Sequence, residues 1–195
     1  MGVLVPREDT EVLVRASADI INSRKLKTGI DLCAGSGAIS LGISALCPQT
    51  DITAVELFPD AFNYLIQNTA TTKNIKSIQG DVLSPDFVCS FKSKFDFILS
   101  NPPYISHEEY ETLEADVLKE PPAALKGGED GLRFYRGITC LWKNLLLSGG
   151  LIAFEIGETQ ADAVSSILDE NGFSDIRVYK DLSGHDRAVT ALSTV

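Results

Sequence analysis

Apolar and polar residues follow two rhythms along this chain. After Asp9-Thr10, the positions Val12, Leu13, Ala16, Ile20 and Ile21 recur at the spacing of one helix face and predict an amphipathic helix. Beyond it, short apolar runs bounded by glycine or polar residues predict strands at about 29–33, 51–56, 75–79, 95–100, 150–156, 174–180 and 187–193. Between them the 3.6-residue period returns and predicts helices at about 37–46, 59–72, 131–147 and 158–171. Strands alternating with helices imply an α/β fold, a parallel sheet covered on both faces. Only Asp181 to Asp186 separates the last two strands, without a helical pattern, so these should pair antiparallel at one edge. No repeat, linker or low-complexity segment interrupts the series. One connection stands out: the thirty residues from Asn101 to Asp130 exceed the usual α/β loop, which points to a functional segment. Its acids Glu108, Glu109, Glu111, Glu114 and Asp116 suit either a solvated helical face or a lid and docking surface for a basic loop.

Two of the predicted strands end in chemistry. Phe95 to Ser100 is a buried strand that stops on Asn101-Pro102-Pro103-Tyr104. Pro102 has a fixed φ and disfavours the helical region at the residue before it, so Asn101 should stand extended at the strand's carboxyl end, its amide aimed into the crevice where open α/β sheets bind ligands. The Asn101 oxygen and the Pro102 carbonyl can each accept one proton of a planar –NH2 and so orient its lone pair. Tyr104 would exclude water and fix geometry there. An ordinary Asn-Pro turn is the competing reading. The second motif, Ile30 to Ile39, is a strand, a small-residue turn and a helix start, with Cys33, Ala34, Gly35, Ser36 and Gly37 forming the turn. Glycines there allow close approach of a ligand, and the helix N-terminus favours a carboxylate. The next strand ends at Glu56, at the spacing of an acid that reads ribose hydroxyls. Ser40 stands where the dinucleotide pattern has its third glycine, which favours a nucleoside without pyrophosphate over NAD.

With these motifs in place the chain resembles the catalytic domain of the protein-(glutamine-N5) methyltransferases of peptide chain release factors, the HemK/PrmC family. The likeness extends over Gly2 to Arg7 with Asp9-Thr10-Glu11, Asp31 to Gly37, Gly80-Asp81, Asn101 to Tyr104 and Glu120-Pro121. It continues through Gly127 to Leu132 with Phe134-Tyr135-Arg136, Phe154 to Gly157 with Gln160, and Asp181 to Arg187. Asn-Pro-Pro-Tyr alone is shared with adenine methyltransferases; the Pro-Arg-x-Asp-Thr-Glu and Gly-Gly-x-Asp-Gly-Leu segments are more specific. The resemblance implies the class I S-adenosylmethionine-dependent (Rossmann-like) fold, a seven-stranded sheet in the order 3-2-1-4-5-7-6, and methyl transfer to the glutamine of a Gly-Gly-Gln motif. It implies that Asp31 meets the cofactor's ammonium, that Asp81 lies near adenine with Val82 covering the ring, and that Arg7 and Thr10 stand near the substrate. Turn capping competes for Asp31 and Asp81, and helix capping for Thr10. Glu155 either lines the cleft or serves as a cap or ion-pair partner. Cys33 occupies the position of the class pattern's first glycine, so its side chain should point away from the ligand; a thiol nucleophile is disfavoured because methyl transfer needs no covalent intermediate. Members of the family carry a helical domain before the Pro-Arg segment, so residues 1–195 read as the catalytic domain alone.

Composition narrows the partners. With 195 residues and 44% hydrophobic content the chain suffices for one domain that buries roughly 70% of its unfolded surface. Seventeen basic against twenty-seven acidic residues give a net charge of −10, which disfavours gripping a phosphate backbone and favours a protein substrate. A DNA or RNA adenine-N6 methyltransferase is the alternative, and a non-enzymatic cofactor-binding module is a third reading. Cys33, Cys47, Cys89 and Cys140 lack metal or disulfide spacing and have only two histidines for company, so no metal and a reducing compartment are expected. No apolar run reaches the length of a membrane span and the first residues lack a signal pattern, so a soluble, cytoplasmic monomer is expected.

Overall fold

The computed structural model describes residues 9–113 and 117–194. Seven strands, β1 (Thr28–Leu32), β2 (Asp51–Glu56), β3 (Ile75–Gln79), β4 (Phe95–Ser100), β5 (Leu146–Glu155), β6 (Phe173–Lys180) and β7 (Asp186–Ser193), form one sheet in the order β3-β2-β1-β4-β5-β7-β6. Pairing is parallel from β3 to β5, and β7 runs antiparallel to both of its neighbours. The strand count, order and antiparallel edge match the sequence expectation. The helices are α1 (Thr10–Arg24), α2 (Ala38–Leu46), α3 (Pro59–Thr69), α4 (Pro85–Cys89), α5 (His107–Tyr110), α6 (Pro122–Leu125), α7 (Arg133–Trp142) and α8 (Ala161–Glu170).

Alternation along the strands decides which helix covers which face. Phe97, Leu99, Leu151 and Ala153 point to one side and bury Leu13, Val14 and Ile21 of α1 with Ile39 and Ile43 of α2. Ala54 on the same side holds Leu65 of α3. Ile30, Leu32, Ile98, Ile152 and Phe154 point to the other side and pack on Val88 of α4, Tyr135, Ile138 and Trp142 of α7, and Val164 and Leu168 of α8. Prolines at the first turn of α3 and α4 supply a preset φ where no intrahelical N–H bond is needed.

Two helices end earlier than the periodicity predicts. The pattern over 131–147 becomes α7, a 3-10 turn over Lys143–Leu145, and the start of β5 at Leu146. The apolar run there satisfies both periods, and pairing of Leu146 with Phe95 takes it into the sheet. A register shift follows, at Gly149 with φ 73° and Gly150, whose missing Cβ would lie 2.8 Å from the Asp96 carbonyl oxygen. In α3, Thr69 Oγ1 donates to the Leu65 carbonyl at 2.7 Å and lies 3.1 Å from Ser77 Oγ of β3; the helix ends there instead of reaching 72.

The long connection after β4 folds back on itself. Ser106 and Glu109 make a reciprocal capping box on α5. Ile105 N–H donates to Leu125 and the Ile105 carbonyl accepts from Gly127 N–H, closing the segment against α6. Glu108, Glu109 and Glu111 are solvent-exposed, as a solvated face requires; Glu114 and Asp116 lie outside the described residues. Among the described residues, no helix is long and apolar enough to cross a membrane.

Candidate active site

The carboxyl ends of β1, β2 and β4 open into one cavity of about 950 Å³. The turn after β1 enters it in an unusual conformation. Cys33 has φ 62°, Gly35 55° and Gly37 88°, and a Cβ on Gly37 would lie 2.8 Å from Leu65 Cδ1. A left-handed cysteine costs roughly 1–2 kcal/mol. Cys33, Ala34, Gly35 and Ser36 line the cavity. Cys33 thus lies on the wall while its side chain packs on the larger core, in keeping with the expectation that it faces away. Burial, the carboxylates of Glu56, Asp31 and Asp81 all push its thiol pKa up, against a hydrogen bond with Ser100, so it is no thiolate nucleophile.

Glu56 is only 6% exposed, yet it lines the same cavity. Its Oε2 accepts from Gly35 N–H at 2.9 Å and its Oε1 from Phe58 N–H at 2.8 Å. The acid therefore sets the height of the glycine turn, and each oxygen keeps a lone pair for a further donor. Asp81 Oδ1 accepts from Leu83 N–H at 2.8 Å, the turn-capping role, while Asp81 and Val82 both line the cavity. Leu57 and Phe58, each 42% exposed, and Phe134 add apolar wall.

Asp31 and Gly37 are not lining residues. Asp31 is fully buried behind the turn, where Oδ2 accepts from Ser40 N–H at 3.1 Å and Ser40 Oγ–H at 2.6 Å. Its Oδ1 has no hydrogen-bond partner. Burial raises this carboxyl to about 7, opposed by the Ser40 bonds and reinforced by Glu56.

Asn101 follows β4 directly, half-buried, and lines the cavity with Pro103 and Thr10. Thr10 is the first residue of α1 and not its cap, which is Asp9. The pairing of Ser100 with Phe154 puts Asn101 beside Glu155 on the face covered by α1. Glu155 is 2% exposed and is not a lining residue; its Oε2 has no hydrogen-bond partner. Burial raises its pKa to about 7, opposed by hydrogen bonding from Thr10, the Arg187 charge and Asn101. Arg187 pairs with Asp181 at 3.0 Å and Asp9 at 3.5 Å, tying the β6–β7 turn to the start of α1. Pro102 is buried and, like Tyr104, does not line the cavity; the partly buried Tyr104 side chain packs on the larger core beside Gly157. Arg7 lies outside the described residues.

Sequence reasoning missed the far wall, formed by Leu118, Pro121 to Ala124, Lys126 and Arg133. Its signal is present: the overlong connection after Asn101 contains most of these residues.

These features suit a nucleoside bearing an amino acid. The turn from Cys33 to Ser36 lies on the cavity wall, Glu56 offers two acceptor oxygens, and Asp31 keeps an orphaned acceptor behind the turn.

Residues 9–131 match the family described as Methyltransferase small domain. The chain is 42% identical to the release factor glutamine methyltransferase of Clostridium acetobutylicum, over 98% of this chain and 68% of that one. It is 41% identical to the enzyme of the same name from Clostridium botulinum, over 97% and 68%. Among solved structures it is similar to the hMettl16 catalytic domain in complex with an RNA hairpin, with a TM-score of 0.70 at 16% identity over 99% and 73% of the two chains. A methyltransferase from Pyrococcus furiosus gives 0.65 at 17% identity over 92% and 83%. At those identities the structures speak for the fold alone, the class I methyltransferase fold.

Proposed function

We infer the reaction from one premise: the chain belongs to the methyltransferase small domain family and, within it, to the release factor glutamine methyltransferases. It is an S-adenosylmethionine-dependent enzyme that methylates the side-chain amide nitrogen of a glutamine in a peptide chain release factor. We propose that the target is the glutamine of a Gly-Gly-Gln motif, and that the two halves of the cavity divide the work. The turn from Cys33 to Gly37 would hold the amino-acid end of the cofactor, with Asp31 behind it facing the ammonium. Glu56 would accept the ribose hydroxyls, and Asp81, Val82, Leu57 and Phe58 would enclose the adenine. When bound, S-adenosylmethionine supplies a methyl group already activated by a sulfonium with a neutral thioether as leaving group.

The chain's own task is then alignment of a poor nucleophile. The Asn101 oxygen and the Pro102 carbonyl each accept one N–H of the glutamine amide, leaving its lone pair free to face the methyl group. Pro103 and Thr10 wall the position, and Tyr104 anchors the end of the turn. The nitrogen sheds a proton after transfer, because a protonated N-methyl amide is strongly acidic, so no dedicated general base is needed. The observation that carries this assignment is that Asn101 shares one cavity with Glu56 and the glycine turn.

Residues 1–195 form the methyltransferase catalytic domain in this reading. It acts as a monomer, without gripping nucleic acid or membrane, in the cytoplasm. The net charge of −10 supports the absence of a nucleic-acid grip. The test is side-by-side incubation of the protein and S-adenosylmethionine with a release factor, DNA and RNA, read by mass spectrometry. One added methyl on the glutamine of the Gly-Gly-Gln peptide is expected. Adenine labelling without glutamine labelling would overturn the assignment in favour of the adenine-N6 reading.

A further inference from the structure

The backbone of the Asn101–Tyr104 turn is gripped from behind by a side chain that does not line the cavity. Gln160, the residue before α8, is 9% exposed and uses its whole amide. Nε2 donates to the Tyr104 carbonyl at 2.9 Å, while Oε1 accepts from Gly157 N–H at 3.0 Å and from Tyr135 Oη–H at 3.3 Å. Tyr135 is fully buried, its ring edge-on to Phe154, and its hydroxyl also reaches the Glu155 carbonyl at 2.9 Å. One buried network therefore joins α7, the end of β5, the start of α8 and the turn that bears Asn101.

Space on the other side of the turn is closed as well. A Cβ on Gly127 would lie 2.7 Å from Tyr104 Cα and 2.8 Å from the Pro103 carbonyl oxygen, and one on Gly131 would lie 2.7 Å from Gln160 Nε2. The turn thus sits between two glycine backbones and the Gln160 amide, with little room to shift. Two side chains bonded to each other would satisfy a merely structural need for buried polar partners, but this network ends on the carbonyl three residues past Asn101.

We propose that Gln160, oriented by Tyr135, is a positioning residue that holds the Asn-Pro-Pro-Tyr turn in register so that Asn101 and the Pro102 carbonyl meet the substrate amide together. The proposal rests on the assignment of that turn to the glutamine amide. Its requirement is geometric: a displacement of about 1 Å at the reacting groups can cost roughly a hundredfold in rate.

Gln160→Glu is the discriminating variant. It keeps the shape and the acceptor for Gly157 and Tyr135, and, assayed at alkaline pH where the carboxyl is ionised, replaces the donor to Tyr104 by a charged oxygen that repels the carbonyl. The expected result is a fall of roughly 10- to 100-fold in kcat, with the S-adenosylmethionine Kd by calorimetry unchanged within about twofold. Amide hydrogen exchange at Tyr104 and Ile105 should rise at least about tenfold, a readout that needs no substrate. Tyr135→Phe, which removes one hydroxyl, should shift both readouts in the same direction by a smaller factor, and it serves if Gln160→Glu fails to fold. A wild-type enzyme that binds cofactor but leaves release factor unmethylated would defeat the functional assignment, whereas the exchange experiment would still report on the grip. Wild-type kcat or unchanged exchange at Tyr104 and Ile105 in a folded Gln160→Glu protein overturns the proposal, as does an equal loss of cofactor affinity.

Discussion

The two halves of the cavity are built in opposite ways. The half that suits a nucleoside is assembled from neighbours: Glu56 fastens Gly35 of the adjoining strand end and Phe58 two residues on, and Asp81 caps its own turn at Leu83. The half around Asn101 draws on distant pieces, with Thr10 from the first helix, Gly127 and Gly131 from the long connection, Tyr135 from α7, and Glu155 and Gln160 from the end of β5 and beyond. In the proposed assignment, cofactor capture would depend on a few backbone-to-carboxylate bonds, whereas substrate alignment would depend on packing collected across the fold. Damage to the first should appear in binding, and damage to the second in turnover.

The largest expected effect breaks the second half alone. Asn101→Ala removes hydrogen bonds worth about 1–3 kcal/mol and frees the amide to rotate, a misalignment costing roughly a further hundredfold. The expected fall in kcat/KM for release factor is about three orders of magnitude, with cofactor affinity nearly intact. A single-turnover assay that retains more than about a tenth of wild-type methylation would remove Asn101 from the amide clamp.

Glu56→Ala should do the reverse. Bonds to a charged acceptor contribute roughly 1.5–3 kcal/mol each, so calorimetry should show the S-adenosylmethionine Kd raised about tenfold or more, while turnover at saturating cofactor changes little. Unchanged affinity would take Glu56 out of the site.

A smaller effect compares the buried acid of each half. Asp31 and Glu155 both have carboxyl pKa values raised by burial to about 7, from ordinary values of 3.8 and 4.5. Between those ordinary values and about 7 the folded chain holds protons that the unfolded chain releases. Their contribution to stability is therefore fullest at low pH and is lost as pH rises through 7, on the order of a few kcal/mol. Asp31→Asn, which keeps an acceptor for Ser40, and Glu155→Gln should each be more stable relative to wild type at pH 8 than at pH 4. Urea denaturation without cofactor at several pH values measures this, and a wild-type-minus-variant difference independent of pH would contradict the assignment.

The contrast also explains what could be read from the sequence. Strand positions, Glu56 and the Asn101 turn were legible because each is signalled locally: a strand period, a glycine turn, a proline that fixes its neighbour; the strand order came from the family resemblance. Gln160 stood out only as part of a motif, since its partner Tyr104 lies 56 residues away and nothing in local pattern announces such a bond. The core contacts of Tyr104 were hidden for the same reason, its environment being set by Gly157 and the core as well as by the prolines before it. Asp31 could be placed at a strand end, but not behind the turn, because only the position of Ser40 on α2 fixes which way it faces. The overextended helix at 131–147 shows pairing with β4 overriding an apolar run that fits either period.

Strand β5 joins the sheet beside β4 only after Leu146, although β4 itself ends at Ser100. During synthesis from the amino terminus, every residue from Cys33 to Leu83 of the nucleoside wall precedes the Asn101 turn, and Gln160 follows that turn by about sixty codons. At translation rates of about 5–20 residues per second, several seconds separate the making of the turn from the making of its brace. In the proposed assignment a nascent chain therefore contains the parts for holding the methyl donor well before the brace that aims the acceptor.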